Sequence, residues 1–116
     1  EEKMADNIQT ILKRSQTDNL KILMGDFNTD AINSPEDYKM ILSQGLYDTY
    51  TMAKEKDSGI TVGGNIDGWS KNKEDKRIDY IFSNKKIKVL SSKVIFNGKN
   101  HPVVSDHYGL EVILDM

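Results

Sequence analysis

The sequence predicts an α+β domain, and three observations carry that prediction. The chain has 116 residues, enough for one domain and too few for two. Segments with helical spacing of apolar residues dominate the first part, and strand-like runs dominate the second. No internal repeat, low-complexity tract or domain linker interrupts the order.

The elements follow in sequence. Met4, Ile8, Ile11 and Leu12 share one helical face. Acidic residues open this segment and Lys13-Arg14 close it, as the helix dipole prefers. The chain opens with Glu1-Glu2-Lys3 rather than Met, without a convincing cap, and reads as a fragment or a processed product. Leu20-Lys21-Ile22-Leu23-Met24 predicts a buried strand that delivers Asp26 at its end. Ser34-Pro35-Glu36-Asp37 predicts a helix start, with Ser as cap, Pro at the first position and acids in the first turn. Tyr38, Ile41 and Leu42 give that helix its apolar stripe, and Gly45 closes it. Residues 46–50 predict a short extended piece. The polar stretch 53–76 predicts a long loop with a short strand at 60–62, and a loop of that length in a compact domain tends to be functional. Strands are predicted at 78–83, at 87–97 with a bend at Ser91-Ser92, and at 108–114.

Composition narrows the function. Lys plus Arg is 16 and Asp plus Glu is 18, a net charge of -2, which speaks against a strongly basic nucleic-acid clamp. There are no cysteines, hence no disulfides and no thiolate metal site. No apolar run approaches the length of a membrane span and no signal-peptide pattern is present, so a cytoplasmic location is the expectation.

Three clusters can carry chemistry. In Gly25-Asp26-Phe27-Asn28 a carboxylate and an amide two residues apart can point at one locus, or can form an Asx turn that leaves a strand. In Arg77-Ile78-Asp79-Tyr80-Ile81-Phe82, alternation puts Arg77, Asp79 and Ile81 on one face. An Asp in an apolar strand needs a partner: a cation, a histidine, or Arg77 on the same face. In Ser105-Asp106-His107-Tyr108-Gly109 an adjacent acid and imidazole can supply a metal ligand and a proton donor, or His107 can be structural. His101 reads as structural. Gathered at one sheet rim, oxygen ligands without Cys favour a hard cation, Mg²⁺ or Mn²⁺, over zinc. An Asp–His pair beside such a cation suits hydrolysis of a phosphate ester.

In order and spacing the three clusters resemble the C-terminal signatures of the endonuclease/exonuclease/phosphatase superfamily. Ile60-Thr61-Val62-Gly63-Gly64-Asn65-Ile66-Asp67-Gly68-Trp69, Lys73-Glu74-Asp75-Lys76-Arg77 and Asn97-Gly98-Lys99-Asn100-His101-Pro102-Val103-Val104 look like its bacterial sugar-phosphate branch. The resemblance implies a Mg²⁺- or Mn²⁺-dependent phosphatase acting on a phosphorylated sugar such as maltose 6′-phosphate, with Trp69 and Arg77 as substrate contacts. It implies that Asp26 activates the attacking water and touches metal, and that Asn28 holds the scissile phosphate or that water beside the metal. Asp106 would be a metal ligand. His107 would stabilise charge on the phosphate, and Asp79 would fix its tautomer and keep it cationic. The implied fold is the C-terminal half of a four-layer α/β/β/α sandwich, one mostly antiparallel sheet with two helices. The family's N-terminal motifs have no counterpart in these residues. The expectation is therefore a half-site, inactive alone, with the missing half as natural partner or a homodimer through the uncovered face, a contact needing about 1,600 Å². A nuclease acting on DNA and a non-catalytic domain are the alternatives.

Overall fold

The computed structural model describes residues 2–14, 19–63, 75–96, 98 and 105–115. Among the described residues these elements follow one another: α1 (Glu2–Arg14), β1 (Ile22–Asp26), α2 (Pro35–Ser43), β2 (Tyr47–Asp48), α3 (Thr49–Met52), β3 (Ala53–Lys56), β4 (Asp79–Ser83), β5 (Val89–Ile95) and β6 (Gly109–Leu114). The class is α+β. Among the described residues hydrogen bonding divides the strands into two three-stranded sheets, ordered β1-β4-β2 and β3-β5-β6, where the family resemblance implied one mostly antiparallel sheet. The first is antiparallel throughout. In the second, β3 runs parallel to β5 and β6 antiparallel to it. The single turn of α3 packs against both β4 and β5, so it joins the sheets. Among the described residues no helix is long and apolar enough to cross a membrane.

The core lies between α1, α2 and one face of the first sheet. Ile8, Tyr38, Ile41, Leu46, Tyr80 and Phe82 form it, with Met4, Leu12 and Leu23 packed alongside. Burial of each large side chain contributes roughly 1.5–3 kcal/mol. Tyr38 stacks on Tyr80 and Tyr80 on Phe82, with ring centroids 5.5 and 5.1 Å apart. Phe27 meets Tyr80 and Phe82 edge-on. Ile11 falls off the core side of α1 and stays exposed. Ser34 takes the cap position of α2 without a capping bond from its hydroxyl, and Pro35 opens the helix as expected.

Three strand expectations need correction. β1 is not a buried strand. It is the edge of its sheet, with Leu23 on the core and Met24 66% exposed on the outer face. A short apolar run cannot by itself distinguish burial on two faces from burial on one. The expected loop after residue 52 begins with β3, whose Ala-Lys-Glu-Lys sequence carries no strand signal. Its ladder is made by backbone groups on an exposed edge. Residues 60–62 contribute only an isolated bridge, Val62 to Lys76. The expected bend at Ser91-Ser92 is a register shift between Val89 and Ser91, and it leaves both serines buried.

One buried ion pair ties the first sheet to α2 and α3. Arg77 Nη2 lies 2.8 Å from Asp48 Oδ2, with Arg77 6% and Asp48 2% exposed. The Tyr38 hydroxyl donates to the same carboxylate oxygen at 2.6 Å, and Asp48 Oδ1 accepts from the Tyr50 N–H that opens α3. The guanidinium carbon sits 5.2, 4.6 and 4.9 Å from the ring centroids of Tyr38, Tyr50 and Tyr80. Burial and the neighbouring Asp48 push the Tyr38 hydroxyl up to about 12. Burial opposes the charge on Arg77, but the adjacent Asp48 carboxylate outweighs it and raises Arg77 further. Gly59 closes the cage: at φ +73, a Cβ there would stand 2.8 Å from Tyr50 and 2.9 Å from Arg77.

Removing one partner of a buried pair strands the other charge. Asp48→Ala is expected to lower stability by roughly 3–5 kcal/mol in urea unfolding. A loss below about 1 kcal/mol, the worth of an exposed pair, would contradict the buried role.

Candidate active site

Strand pairing sets the two signature carboxylates opposite one another. β1 and β4 run antiparallel with Asp26 facing Asp79, Met24 facing Ile81 and Ile22 facing Ser83. Side chains alternate across a sheet, so Asp26 and Asp79 lie on the face opposite Leu23, Tyr80 and Phe82. The site therefore opens on the side away from the core, beside exposed Met24 and Ile22.

His107 arrives from the loop before β6 and lies between the two acids. Its Nδ1 stands 2.8 Å from Asp79 Oδ2 and its Nε2 3.7 Å from Asp26 Oδ2. An ionised carboxylate only accepts, so the ring proton on this side is Nδ1–H donating to Asp79. The Asp79 hydrogen bond raises the His107 pKa above 6.5. Partial burial opposes this, and the charges of Asp79, Asp26 and Asp106 reinforce it. Ser105 Oγ accepts the His107 N–H at 3.2 Å and fixes the loop locally.

Asp26 divides its oxygens. Oδ1 accepts the Asn28 N–H at 2.8 Å, which makes the Asx turn the sequence allowed, while Oδ2 faces His107. Asn28 sits at φ +50, a left-handed conformation that Asn tolerates better than most residues. Both Asp26 and Asn28 are exposed. A polar cleft of about 260 Å³ opens beside Asn28, lined also by Thr29, Asp30, Asn33, Asp37 and Lys76.

Asp30 holds this turn against the second cluster, and sequence reasoning missed it. Its carboxylate accepts from Ile32 N–H, Asn33 Nδ2 and Arg77 N–H. Burial works against its charge, yet these donors keep its pKa below the usual carboxylate value. The Tyr80 hydroxyl lies 2.6 Å from the carbonyls of both Thr29 and Arg77 and accepts the Ala31 N–H. The visible signal was an Asp two residues after Asn28, a spacing that alone reads as ordinary loop.

Other expected site residues lie elsewhere. Arg77 was expected to touch substrate and to share a face with Asp79. It is instead buried in the tyrosine cage, because strand pairing starts at Asp79 and alternation does not extend back to Arg77. Asp106 is exposed, accepts from Ser105 Oγ at 3.2 Å, and is not one of the three mutually close groups Asp26, Asp79 and His107. Trp69 and His101 lie outside the described residues.

Asp26, Asp79 and His107 each offer an atom within 4.8 Å of the others, but the trio does not fit a cation bound by all three. His107 Nδ1 and Asp79 Oδ2 are committed to each other. The donor set fits a hard cation only through carboxylate oxygen, with the Oδ2 of Asp26 as the open ligand.

The chain belongs to the endonuclease/exonuclease/phosphatase family, whose model matches residues 1–107. It is 63% identical to an endonuclease/exonuclease/phosphatase family protein from Leptotrichia buccalis C-1013-b, at a TM-score of 0.89, covering 97% of this chain and 43% of that one. A mannosyl-6-phosphatase of Bacteroides thetaiotaomicron VPI-5482 shares the fold at 24% identity and a TM-score of 0.72, covering 97% of this chain and 44% of that one. A 3′ phosphatase from Neisseria, NExo, bound to a product DNA hairpin, shares it at 16% identity and a TM-score of 0.69, covering 97% of this chain and 51% of that one. The chain thus spans about half the length of these structures, or less. None of the curated proteins matches it.

In a ring-resonance NMR titration, His107 is expected to titrate above 6.5, and Asp79→Asn to lower the midpoint. The sign follows from the raised folded value: the pair's stabilisation is complete below the unfolded pKa and is lost as pH rises through the folded one. A midpoint unmoved by Asp79→Asn would remove Asp79 as the cause.

Proposed function

We propose that the chain carries half the active site of a metal-dependent phosphoric-ester hydrolase, and that its substrate is a phosphorylated sugar such as maltose 6′-phosphate. The observation that carries this reading is His107 held between Asp79 and Asp26 on an open sheet face. Water attacks phosphorus in line, the new O–P bond forms as the ester P–O bond breaks, and Asp26 takes the water's proton. His107 presents Nε2–H to the phosphoryl oxygens as their charge grows, and Asp79 keeps it oriented and cationic. Asn28 orients the phosphate or the water. A divalent cation held by Asp26, with Asn28 and Asp106 near it, would supply further neutralisation of phosphoryl charge. The departing alkoxide takes a proton from solvent.

The sugar reading draws on the cleft beside Asn28, where amides, carboxylates and an ammonium offer both donors and acceptors to hydroxyl groups. It also draws on the family neighbour described as a mannosyl-6-phosphatase and on a net charge of -2, which suits a small anion better than a polyanion. The half-site reading draws on where Asp26 lies. It shares its face with exposed Ile22 and Met24, so a second layer of the family fold covering those residues would border the site.

The test is phosphate release from maltose 6′-phosphate and mannose 6-phosphate by the full-length protein with Mg²⁺. Release is expected, and Asp26→Ala is expected to lower kcat by about 10²–10⁴-fold without unfolding the protein. Wild-type rates in that variant would overturn the site. Cleavage of a nicked DNA but of neither sugar phosphate would overturn the substrate and favour the nuclease reading.

A further inference from the structure

We propose that Thr61 is the positioning residue of the Asp79–His107 pair. Asp79 stands at the first position of β4 and His107 in the loop before β6, 28 positions further along the sequence. Their 2.8 Å contact needs the strand and the loop to be fixed against each other, and Thr61 bonds to both. Its side chain is fully buried, at 0% exposure. Thr61 Oγ1 accepts the backbone N–H of Ile78 at 3.2 Å and of Asp79 at 3.3 Å. The Thr61 carbonyl accepts the N–H of Tyr108, the residue after His107, at 2.7 Å.

The surroundings explain why a hydroxyl does this. Pairing of β2 with β4 ends at Asp48 opposite Phe82, so among the described residues no strand pairs with the start of β4 on that edge. Two part-buried N–H groups there need an acceptor, and the Thr61 hydroxyl takes both. The backbone around it is pinned: Thr61 and Val62 N–H both donate to the Lys76 carbonyl, and Lys76 N–H donates to Val62. On the other side Gly63 lets the Tyr108 ring approach, since a Cβ there would stand 2.6 Å from Tyr108 Oη. Residues 61–63 thus form a strap from the β4 backbone to the His107 loop.

Thr61→Val keeps the shape and removes the acceptor; Thr61→Ser keeps the acceptor. The readout in the full-length protein is the downfield proton NMR signal of His107 Nδ1–H, which reports the hydrogen bond to Asp79 and requires no turnover. Expected is loss of the signal in Thr61→Val, with the fold retained in thermal melting, and its return in Thr61→Ser. In turnover, Thr61→Val should lower kcat about tenfold with KM unchanged, and Ser should restore it. The kinetic arm rests on the proposed hydrolase function, whereas the NMR arm stands without it. An intact signal in Thr61→Val, or a signal absent from Thr61→Ser, would overturn the proposal. Should Thr61→Val not fold, Gly63→Ala tests the other end of the strap. It should weaken the same signal and speed exchange of the Tyr108 amide about tenfold. No change in either would overturn it.

Discussion

The Arg77–Asp48 ion pair is where the helices, the short turn of α3 and the first sheet meet. Two charges lie buried at 6% and 2% exposure, and both oxygens of the Asp48 carboxylate have partners. Asp48 accepts from Arg77, from the Tyr38 hydroxyl and from the amide that starts α3. Arg77 sits among three tyrosine rings, whose faces favour a cation. Backbone groups of Arg77 extend the network outward. Its N–H reaches Asp30, and its carbonyl accepts the Ala31 N–H and lies near the Tyr80 hydroxyl. The loop after Asn28 is therefore anchored to the residues just before Asp79. An ion pair of this kind is weak evidence for net stability, but its Arg77 backbone also holds the loop after Asn28 beside the start of β4.

From that anchor the site follows by alternation. β4 sends Tyr80 and Phe82 into the core and Asp79 to the opposite face, where antiparallel pairing sets it across from Asp26. A carboxylate on a strand carries a desolvation cost that a cationic partner offsets. The Asp79 carboxylate meets His107 Nδ1 at 2.8 Å, and the raised pKa of His107 is the same interaction seen from the imidazole. The geometry gives the two acids different tasks. Asp79 is bonded to the ring, while Asp26 keeps one oxygen for its own turn and leaves the other open.

Much of this was legible in the residues. Helical spacing and a Ser-Pro start announced α1 and α2 because local periodicity and capping are written in neighbouring positions. The residues left the partner of Asp79 open among a cation, a histidine and Arg77, and it was the family resemblance that implied His107. The placement of Arg77 was not legible: alternation was extended one step beyond the strand, and nothing near Arg77 in sequence points to Asp48. β3 was missed because Ala-Lys-Glu-Lys pairs through its backbone alone. β1 was placed inside because its apolar run does not reveal that it lies at an edge. The bonds of Thr61 and Asp30 escaped because they join a side chain to distant backbone amides, a relation no local pattern records.

In the function proposed above, the open face carrying Asp26, Asp79 and His107 is half of a cation-assisted phosphate-ester site, with Asp26 as its open carboxylate. Substoichiometric Mn²⁺ added to the full-length protein, followed by amide NMR, tests it most directly through the paramagnetic broadening of nearby signals. Broadening is expected to centre on Asp26, Asn28 and Asp106 and to be lost in Asp26→Ala. Broadening centred elsewhere, or unchanged by Asp26→Ala, would contradict it.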